Sequence, residues 1–149
     1  MWHIEFSSAE FLPYLPEECQ ANPGAYGFEL AQWLSMALAR QGIVTSYPLG
    51  EDWGWFIEYT EDEVEIMIGC SSVAEEGEGY TGKPIRWNVF VKPRRSLKQR
   101  LKGKSPDSAV QRVTDAVLHS AIAGHHQRCP QAFLRLAPER SEDLPGQPE

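Results

Sequence analysis

The segment Val64-Glu65-Ile66-Met67-Ile68 decides the fold, because apolar and polar side chains alternate along most of it. A period of two places successive side chains on opposite faces of an extended strand. Val64, Ile66 and Ile68 therefore share one face, which packs, while the other face meets water. The segment 85–92 repeats the pattern, and its apolar positions are Trp87, Val89 and Val91.

Further strands are predicted around these two. Alternation and a concentration of β-branched and aromatic residues also mark the segments 2–6, 43–47 and 53–59, and the strand that contains Val64 to Ile68 is predicted to span 63–70. Short turns such as Pro48-Leu49-Gly50 separate most of the central segments, and a longer loop rich in Gly and Glu spans 71–84. Consecutive strands joined by short turns indicate an antiparallel meander.

Two amphipathic helices are predicted on either side of the meander. The first spans 23–41, where Asn22 caps the start, Pro23 fits the first turn and Gly42 ends the helix. Gly24 and Gly27 disfavour its first turn, and a close backbone approach or simple drift explains them. The second helix starts at Ser105-Pro106-Asp107 and ends at Gly124.

These elements together predict an α+β fold. It consists of a single antiparallel four- to five-stranded sheet with two amphipathic helices packed on one face, in the order β-α-β-β-β-β-α. The 149 residues suffice for one core. Residues 1–136 are expected to form a single domain, and the polar, Pro-rich residues 137–149 a disordered tail.

Composition predicts a cytoplasmic protein. The longest apolar runs fall far short of a membrane span, and residues 1–6 lack the features of a signal peptide. Cys19, Cys70 and Cys129 are odd in number and have no C-x-x-C spacing, so we expect free thiols. His125-His126 with Cys129 is a loose set without a fourth ligand, so we expect no metal and no other cofactor.

The distribution of charge is uneven. Residues 1–91 carry 15 acidic and 3 basic side chains, 92–104 carry 7 basic and none acidic, and 105–149 carry 6 acidic and 4 basic. The acidic bulk repels polyphosphate, which argues against general nucleic-acid binding. No membrane association is expected either. Opposite charge patches favour an oriented encounter with a protein partner, or a homodimer.

The most distinctive local motif is Glu51-Asp52-Trp53-Gly54-Trp55, and three interpretations are open. Burial beside the tryptophans and mutual repulsion would keep one carboxyl protonated, as a general acid requires. Alternatively, both tryptophans pack on one strand face while an acidic residue caps the turn. In the third interpretation, exposed tryptophans with an acidic rim form a contact hot spot.

The basic run 92–104 also has three interpretations. It is a solvated connector, a short basic helix that touches anionic lipid or RNA, or a docking strip for an acidic partner. No nucleophile elbow, phosphate loop or other catalytic signature is present in the sequence, so no catalytic residue is predicted. The candidate binding residues are Glu51, Asp52, Trp53, Trp55, Arg94, Arg95, Lys98 and Arg100.

Several short motifs in the first 60 residues resemble a family of short bacterial proteins that has no assigned activity. They are Leu15-Pro16-Glu17-Glu18-Cys19, Asn22-Pro23-Gly24, Tyr26-Gly27, Glu29-Leu30-Ala31, Trp33-Leu34, Thr45-Ser46-Tyr47-Pro48 and Glu51-Asp52-Trp53-Gly54-Trp55. The resemblance implies a bacterial, single-domain, cytosolic protein. It implies no substrate and no catalytic residue.

Two functional hypotheses follow. The first is a non-enzymatic, small acidic binding module of the immunity or chaperone type, which contacts a protein partner. The alternative is a small hydrolase or ligand-binding domain that uses Glu51, Asp52 and one of Glu17 or Glu18 around a tryptophan-lined cleft. A deep pocket with converging carboxylates favours the second hypothesis, and a flat aromatic patch with an acidic rim favours the first.

Overall fold

The computed structural model describes residues 1–73, 82–94, 107–128 and 135–136, with side chains as far as residue 121. The predicted α+β class and the order β-α-β-β-β-β-α are confirmed, and a two-residue strand follows. A short 3-10 helix, Glu17–Cys19, precedes the first α-helix. The elements are β1 (Trp2–Ser8), α1 (Phe28–Ala39), β2 (Leu49–Glu51), β3 (Gly54–Glu61), β4 (Val64–Ser72), β5 (Ile85–Arg94), α2 (Asp107–Arg128) and β6 (Arg135–Leu136).

The described strands form one antiparallel sheet in the order β2-β3-β4-β5-β1-β6. Its register aligns the alternating positions of neighbouring strands. One row across the sheet is Trp55, Cys70, Val89 and Ile4. Because side chains alternate between faces, this row and the row two residues away lie on the same side of the sheet.

Both helices pack on that side, as predicted. Helix α1 contacts β3, β4 and α2, and helix α2 contacts β5. The buried stripe of α1 includes Leu30, Leu34 and Leu38, and that of α2 includes Val113 and Val117. Each such side chain contributes about 1.5–3 kcal/mol by leaving water, so the two stripes hold the helices on the sheet.

Helix α1 begins at Phe28, not at residue 23, so the predicted start was wrong. Asn22 does not cap the helix. It forms an isolated bridge with Ala25, and its side-chain amide donates to the carbonyl oxygen of Asp52 at 2.7 Å. Gly27 has φ +152°, and a Cβ at this position would lie 2.2 Å from the carbonyl oxygen of Cys70. The close backbone approach considered for this glycine therefore exists, and it delays the helix.

Both helix ends differ from the predicted residues, 41 for the first helix and Gly124 for the second. Helix α1 stops at Ala39, and Gly42 follows with φ +82°, the left-handed conformation that was expected there. Helix α2 does not end at Gly124 but continues to Arg128. A glycine inside a helix costs about 1 kcal/mol relative to alanine, which a 22-residue helix tolerates.

The predicted strand 43–47 is absent, and the predicted turn Pro48-Leu49-Gly50 contains β2 instead. In 43–47 the polar side chains satisfy the local backbone: Thr45 Oγ1 donates to the carbonyl of Ser46, and Ser46 Oγ donates to that of Tyr47. Such bonds compete with a strand ladder. Ser46 nevertheless contacts β3, because its N–H donates to the carbonyl oxygen of Glu58 at 2.9 Å.

The segment between β1 and α1 is irregular but anchored, as predicted. Phe11 packs against Trp33 and Trp87, with ring centroids 5.2 and 6.3 Å away. Glu29, which is buried, accepts the backbone N–H groups of Tyr14 at 2.9 Å and Leu15 at 3.0 Å. This carboxylate fastens the segment to the first turn of α1.

Among the described residues, no helix is both long and apolar enough to cross a bilayer. The predicted tail 137–149 lies outside the described residues.

Replacing Gly27 with alanine should destabilise the protein strongly. The new Cβ would collide with the carbonyl oxygen of Cys70, so we expect a loss of about 3 kcal/mol or more in the free energy of unfolding. The matched control is Gly42→Ala, where φ is also positive but no atom lies within 4 Å of the new Cβ. That variant should lose only about 1 kcal/mol. Urea unfolding of both variants measures the difference, and equal losses would contradict the close approach.

Candidate functional site

Trp53 and Trp55 lie on opposite faces of the sheet, so the interpretation in which both tryptophans pack on one strand face is wrong. Trp55 lies on the helix face and contacts Phe28, with ring centroids 5.1 Å apart. Trp53 belongs to the two-residue turn between Glu51 and Gly54, and it contacts Phe90 at 5.1 Å and Phe56 at 6.4 Å. Because Trp53 lies in the tight turn and not in the strand, its side chain does not follow the alternation of β3. The two indoles therefore lie on opposite faces.

Trp53, Phe56 and Phe90 form a cluster on the sheet face opposite the helices, here called the aromatic patch. Phe56 and Phe90 flank Gly69 in one row across the sheet. A Cβ on Gly69 would lie 2.2 Å from the ring of Phe90, so the ring rests directly on the glycine backbone. Trp53 then packs on Phe90. A rigid sheet therefore holds three aromatic rings in fixed positions.

The exposure of these rings differs in a way that matters for binding. Phe56 is 5% exposed, since Trp53 and the Arg94 guanidinium lie against its ring. Trp53 is 39% exposed, although large aromatic side chains are usually buried. Phe90 is intermediate in exposure, so the indole of Trp53 is the most accessible member of the patch.

Charged side chains lie on the same sheet face as the aromatic patch. Arg94 lies over the Phe56 ring, 5.4 Å from its centroid, and donates to Glu58 Oε1 at 2.9 Å. On the same face, Arg86 pairs with Glu5 at 3.0 Å. These ion pairs are largely exposed, so each contributes little stability. The pair Arg94–Glu58 also places polar groups at the edge of the Phe56 ring.

Glu51 and Asp52 are exposed beside Trp53. Glu51 is two residues from Leu49, which pairs with Phe56, so its side chain lies on the same face as the aromatic patch. Within the part of the chain that the structure describes, no cation pairs with either carboxylate.

The structure brings only some of the predicted binding residues together. Glu51, Asp52, Trp53 and Arg94 lie around the aromatic patch, while Trp55 faces the helices. Arg95, Lys98 and Arg100 lie outside the described residues. Sequence reasoning missed Phe56 and Phe90. The sequence did contain a relevant pattern. Strands β3 and β5 carry large aromatic residues at both odd and even positions, which indicates that both faces of the sheet are partly apolar.

A separate cleft of about 640 Å³ lies between the end of β3, the turn after α1 and one side of α2. Arg112 donates to the Tyr59 hydroxyl at 3.0 Å and forms an ion pair with Glu61. The hydrogen bond with Glu61 is the main cause of a raised pKa for Arg112. The lining residues are Gln41, Gly42, Ile43, Tyr59, Glu61, Arg112, Asp115, Ala116 and His119. Neither Glu51 nor Asp52 nor a tryptophan is among the described residues of this cleft.

The described thiols differ in environment. Cys19 is exposed in the 3-10 helix, and Cys70 is completely buried in β4. Burial raises the pKa of the Cys70 thiol, because the apolar surroundings penalise the thiolate. Both are free thiols, as predicted, and Cys129 lies outside the described residues. Among the described side chains, no three metal-binding groups are gathered in one place.

No family model matches the chain, and the searches of curated proteins and of solved structures also returned no match.

Replacing Gly69 with alanine should disrupt the aromatic patch. The Phe90 ring must move away from the new Cβ, which removes the surface on which Trp53 packs, so we expect a loss of about 1–3 kcal/mol in unfolding free energy. The chemical shift of the Trp53 indole N–H should change as well. Gly50→Ala is the control, because its Cβ would meet only ordinary contacts of 3.6 Å. An unchanged Trp53 signal in Gly69→Ala would contradict the stacking.

The two described cysteines should differ in reactivity. At neutral pH, a maleimide should label Cys19 in the folded protein, whereas Cys70 should react only after denaturation, since it is buried and its pKa is raised. Peptide mapping by mass spectrometry separates the two sites. Comparable labelling of Cys70 in the native protein would show that β4 is not packed as described.

Proposed function

We propose that this chain is a non-enzymatic binding module that contacts a protein partner through the aromatic patch, in the manner of an immunity or chaperone protein. The observation that carries the proposal is the exposure of Trp53 on a rigid platform of two further aromatic rings. Tryptophan is enriched among residues that dominate the energy of protein interfaces.

The surroundings of the patch support this proposal. Productive interfaces combine a small apolar centre with a polar rim that excludes water. Here the Arg94 guanidinium, paired with Glu58, lies against the Phe56 ring, and the ion pair Arg86–Glu5 lies on the same sheet face. The patch therefore has the composition of an interface centre and rim.

Rigidity adds a second argument. A side chain that is already fixed loses little conformational entropy when a partner binds. Phe90 rests on the backbone of Gly69, and Trp53 packs on Phe90, so the platform is ordered before any encounter. Trp53 is therefore better suited to act as an anchor residue than a flexible exposed side chain would be.

The proposal extends to the setting of the protein. A cytoplasmic bacterial protein with this acidic surface would meet basic proteins more readily than nucleic acid, because phosphate groups are repelled at long range. A homodimer remains an alternative use of the same patch, and light scattering at tens of micromolar distinguishes it from a monomer.

The cleft beside α2 supports a second candidate function, that of a ligand-binding or hydrolytic domain. Its volume of about 640 Å³ is within the range of small-molecule sites, although the cleft is wide open to solvent. It combines the Arg112 guanidinium with the carboxylates of Glu61 and Asp115 and the imidazole of His119. The carboxylates beside Trp53 are not part of this cleft, so this function would use residues other than those predicted for it.

A direct binding measurement tests the first proposal. A partner isolated by affinity capture from the native host should be purified and titrated against the wild-type protein and Trp53→Ala. Loss of a central anchor should weaken binding by at least about 30-fold, equivalent to roughly 2 kcal/mol. Tyr47→Ala is the matched control, because Tyr47 is 86% exposed and is not one of the described rings that stack in the aromatic patch. Equal affinities for all three proteins would contradict the proposal.

A further inference from the structure

Arg94 shows how this sheet face holds a cation. Its guanidinium lies 5.4 Å from the centroid of the Phe56 ring and donates a 2.9 Å hydrogen bond to Glu58. The ring supplies a negative face, and the carboxylate supplies the counter-charge. The chain thus contains one complete combination of aromatic ring, guanidinium and carboxylate.

The surroundings of Trp53 contain an aromatic ring and carboxylates but no described guanidinium. Its indole is exposed, and the adjacent Glu51 and Asp52 carboxylates are exposed with no cation paired to them in the described part of the chain. Indole binds cations more strongly than the phenyl ring of Phe56 does. The missing part is a positive group over the outer side of Trp53.

We propose that the Trp53 indole, together with Glu51 and Asp52, is the seat for an arginine side chain in a basic segment of the partner. This inference rests on the proposed function, since it names the chemistry that the aromatic patch recognises. A planar guanidinium stacks on the indole while its edge donates hydrogen bonds to both carboxylates. Lysine, with a compact and strongly hydrated ammonium, satisfies these requirements less well.

The charge of the surrounding chain favours the same occupant. Residues 1–73 carry 12 acidic side chains and one basic side chain, whereas residues 82–94 carry Lys83, Arg86, Lys92 and Arg94 and no acidic side chain. Arg86 and Arg94 are paired with Glu5 and Glu58, so they are already neutralised by other carboxylates than those beside Trp53. The carboxylates of Glu51 and Asp52 attract a basic segment to Trp53 and repel acidic peptides and phosphates at close range. Charge complementarity therefore selects a basic protein segment over an RNA strand or an acidic peptide.

The test is an NMR titration of the isotopically labelled protein with short soluble peptides. The probes are a glycine-flanked peptide of four arginines, the equivalent with four lysines and the equivalent with four glutamates. The arginine peptide should shift the Trp53 indole N–H and the amides of Glu51 and Gly54. We expect the lysine peptide to bind about threefold or more weakly, and the glutamate peptide to leave these signals unchanged.

Matched variants distinguish specific binding at Glu51 and Asp52 from a general attraction between the acidic protein and a basic peptide. The double variant Glu51→Gln with Asp52→Asn should weaken arginine-peptide binding about tenfold. Glu10→Gln with Asp62→Asn makes the same change in net charge at exposed positions away from Trp53, and it should retain most of the affinity. Equal weakening in both double variants, or no shift at Trp53, would overturn the inference. Concentration-dependent shifts at Trp53 without peptide would assign the seat to a second copy and would also overturn it.

Failure of this inference is distinguishable from failure of the proposed function. A purified partner whose binding is lost in Trp53→Ala but unaffected by Glu51→Gln with Asp52→Asn would support the aromatic patch as the interface. The same result would overturn the arginine seat.

Discussion

One strand register determines both sides of this molecule. It aligns Trp55, Cys70, Val89 and Ile4 under the helices, and it aligns Phe56, Gly69, Phe90 and His3 on the opposite face. A slip by one residue would exchange the two rows, exposing the core and forcing a lysine or glutamate under the helices. The hydrophobic core therefore enforces the register, and the register in turn assembles the aromatic patch.

Close backbone contacts at Cys70 fix the turn that presents Trp53. A Cβ on Gly27 would lie 2.2 Å from the Cys70 carbonyl oxygen, and one on Gly54 would lie 2.6 Å from it. Ser72 adds hydrogen bonds, because its N–H donates to the Tyr26 carbonyl at 3.1 Å and its hydroxyl accepts the Tyr26 N–H at the same distance. The start of α1, the β2–β3 turn and the end of β4 are thus joined at one point, which leaves Trp53 little freedom.

Hydrophobic periodicity predicts the helices and strands that are stabilised by burying one face. It fails where a contact with a distant part of the chain determines the structure. Strands β4 and β5 and the stripe of α1 follow directly from alternating or helical spacing. The cap signals at Asn22 and Pro23 are local, so they could not reveal the approach of Gly27 to β4. The pairing of Gly69 with Phe90 was equally hidden, because it depends on the register between two strands, β4 and β5.

The candidate site illustrates the same limit. The motif around Trp53 was recognisable from its composition, but its partners Phe56 and Phe90 come from other positions of the sheet. The separation of Trp53 and Trp55 follows from a two-residue turn whose position the sequence did not reveal. The residue types of the motif indicated an aromatic and acidic surface, whereas only the fold showed that Phe56 and Phe90 lie next to Trp53.

The central claim is that one register places Trp53 outward and Trp87 inward, and photochemically induced nuclear polarisation measures this most directly. The method enhances the NMR signals only of aromatic side chains that a dissolved dye can touch. Trp53 is 39% exposed and Trp87 is 0% exposed, so the account predicts a strong enhancement for Trp53 and none for Trp87. An enhanced Trp87, or a silent Trp53 in the free protein, would contradict it.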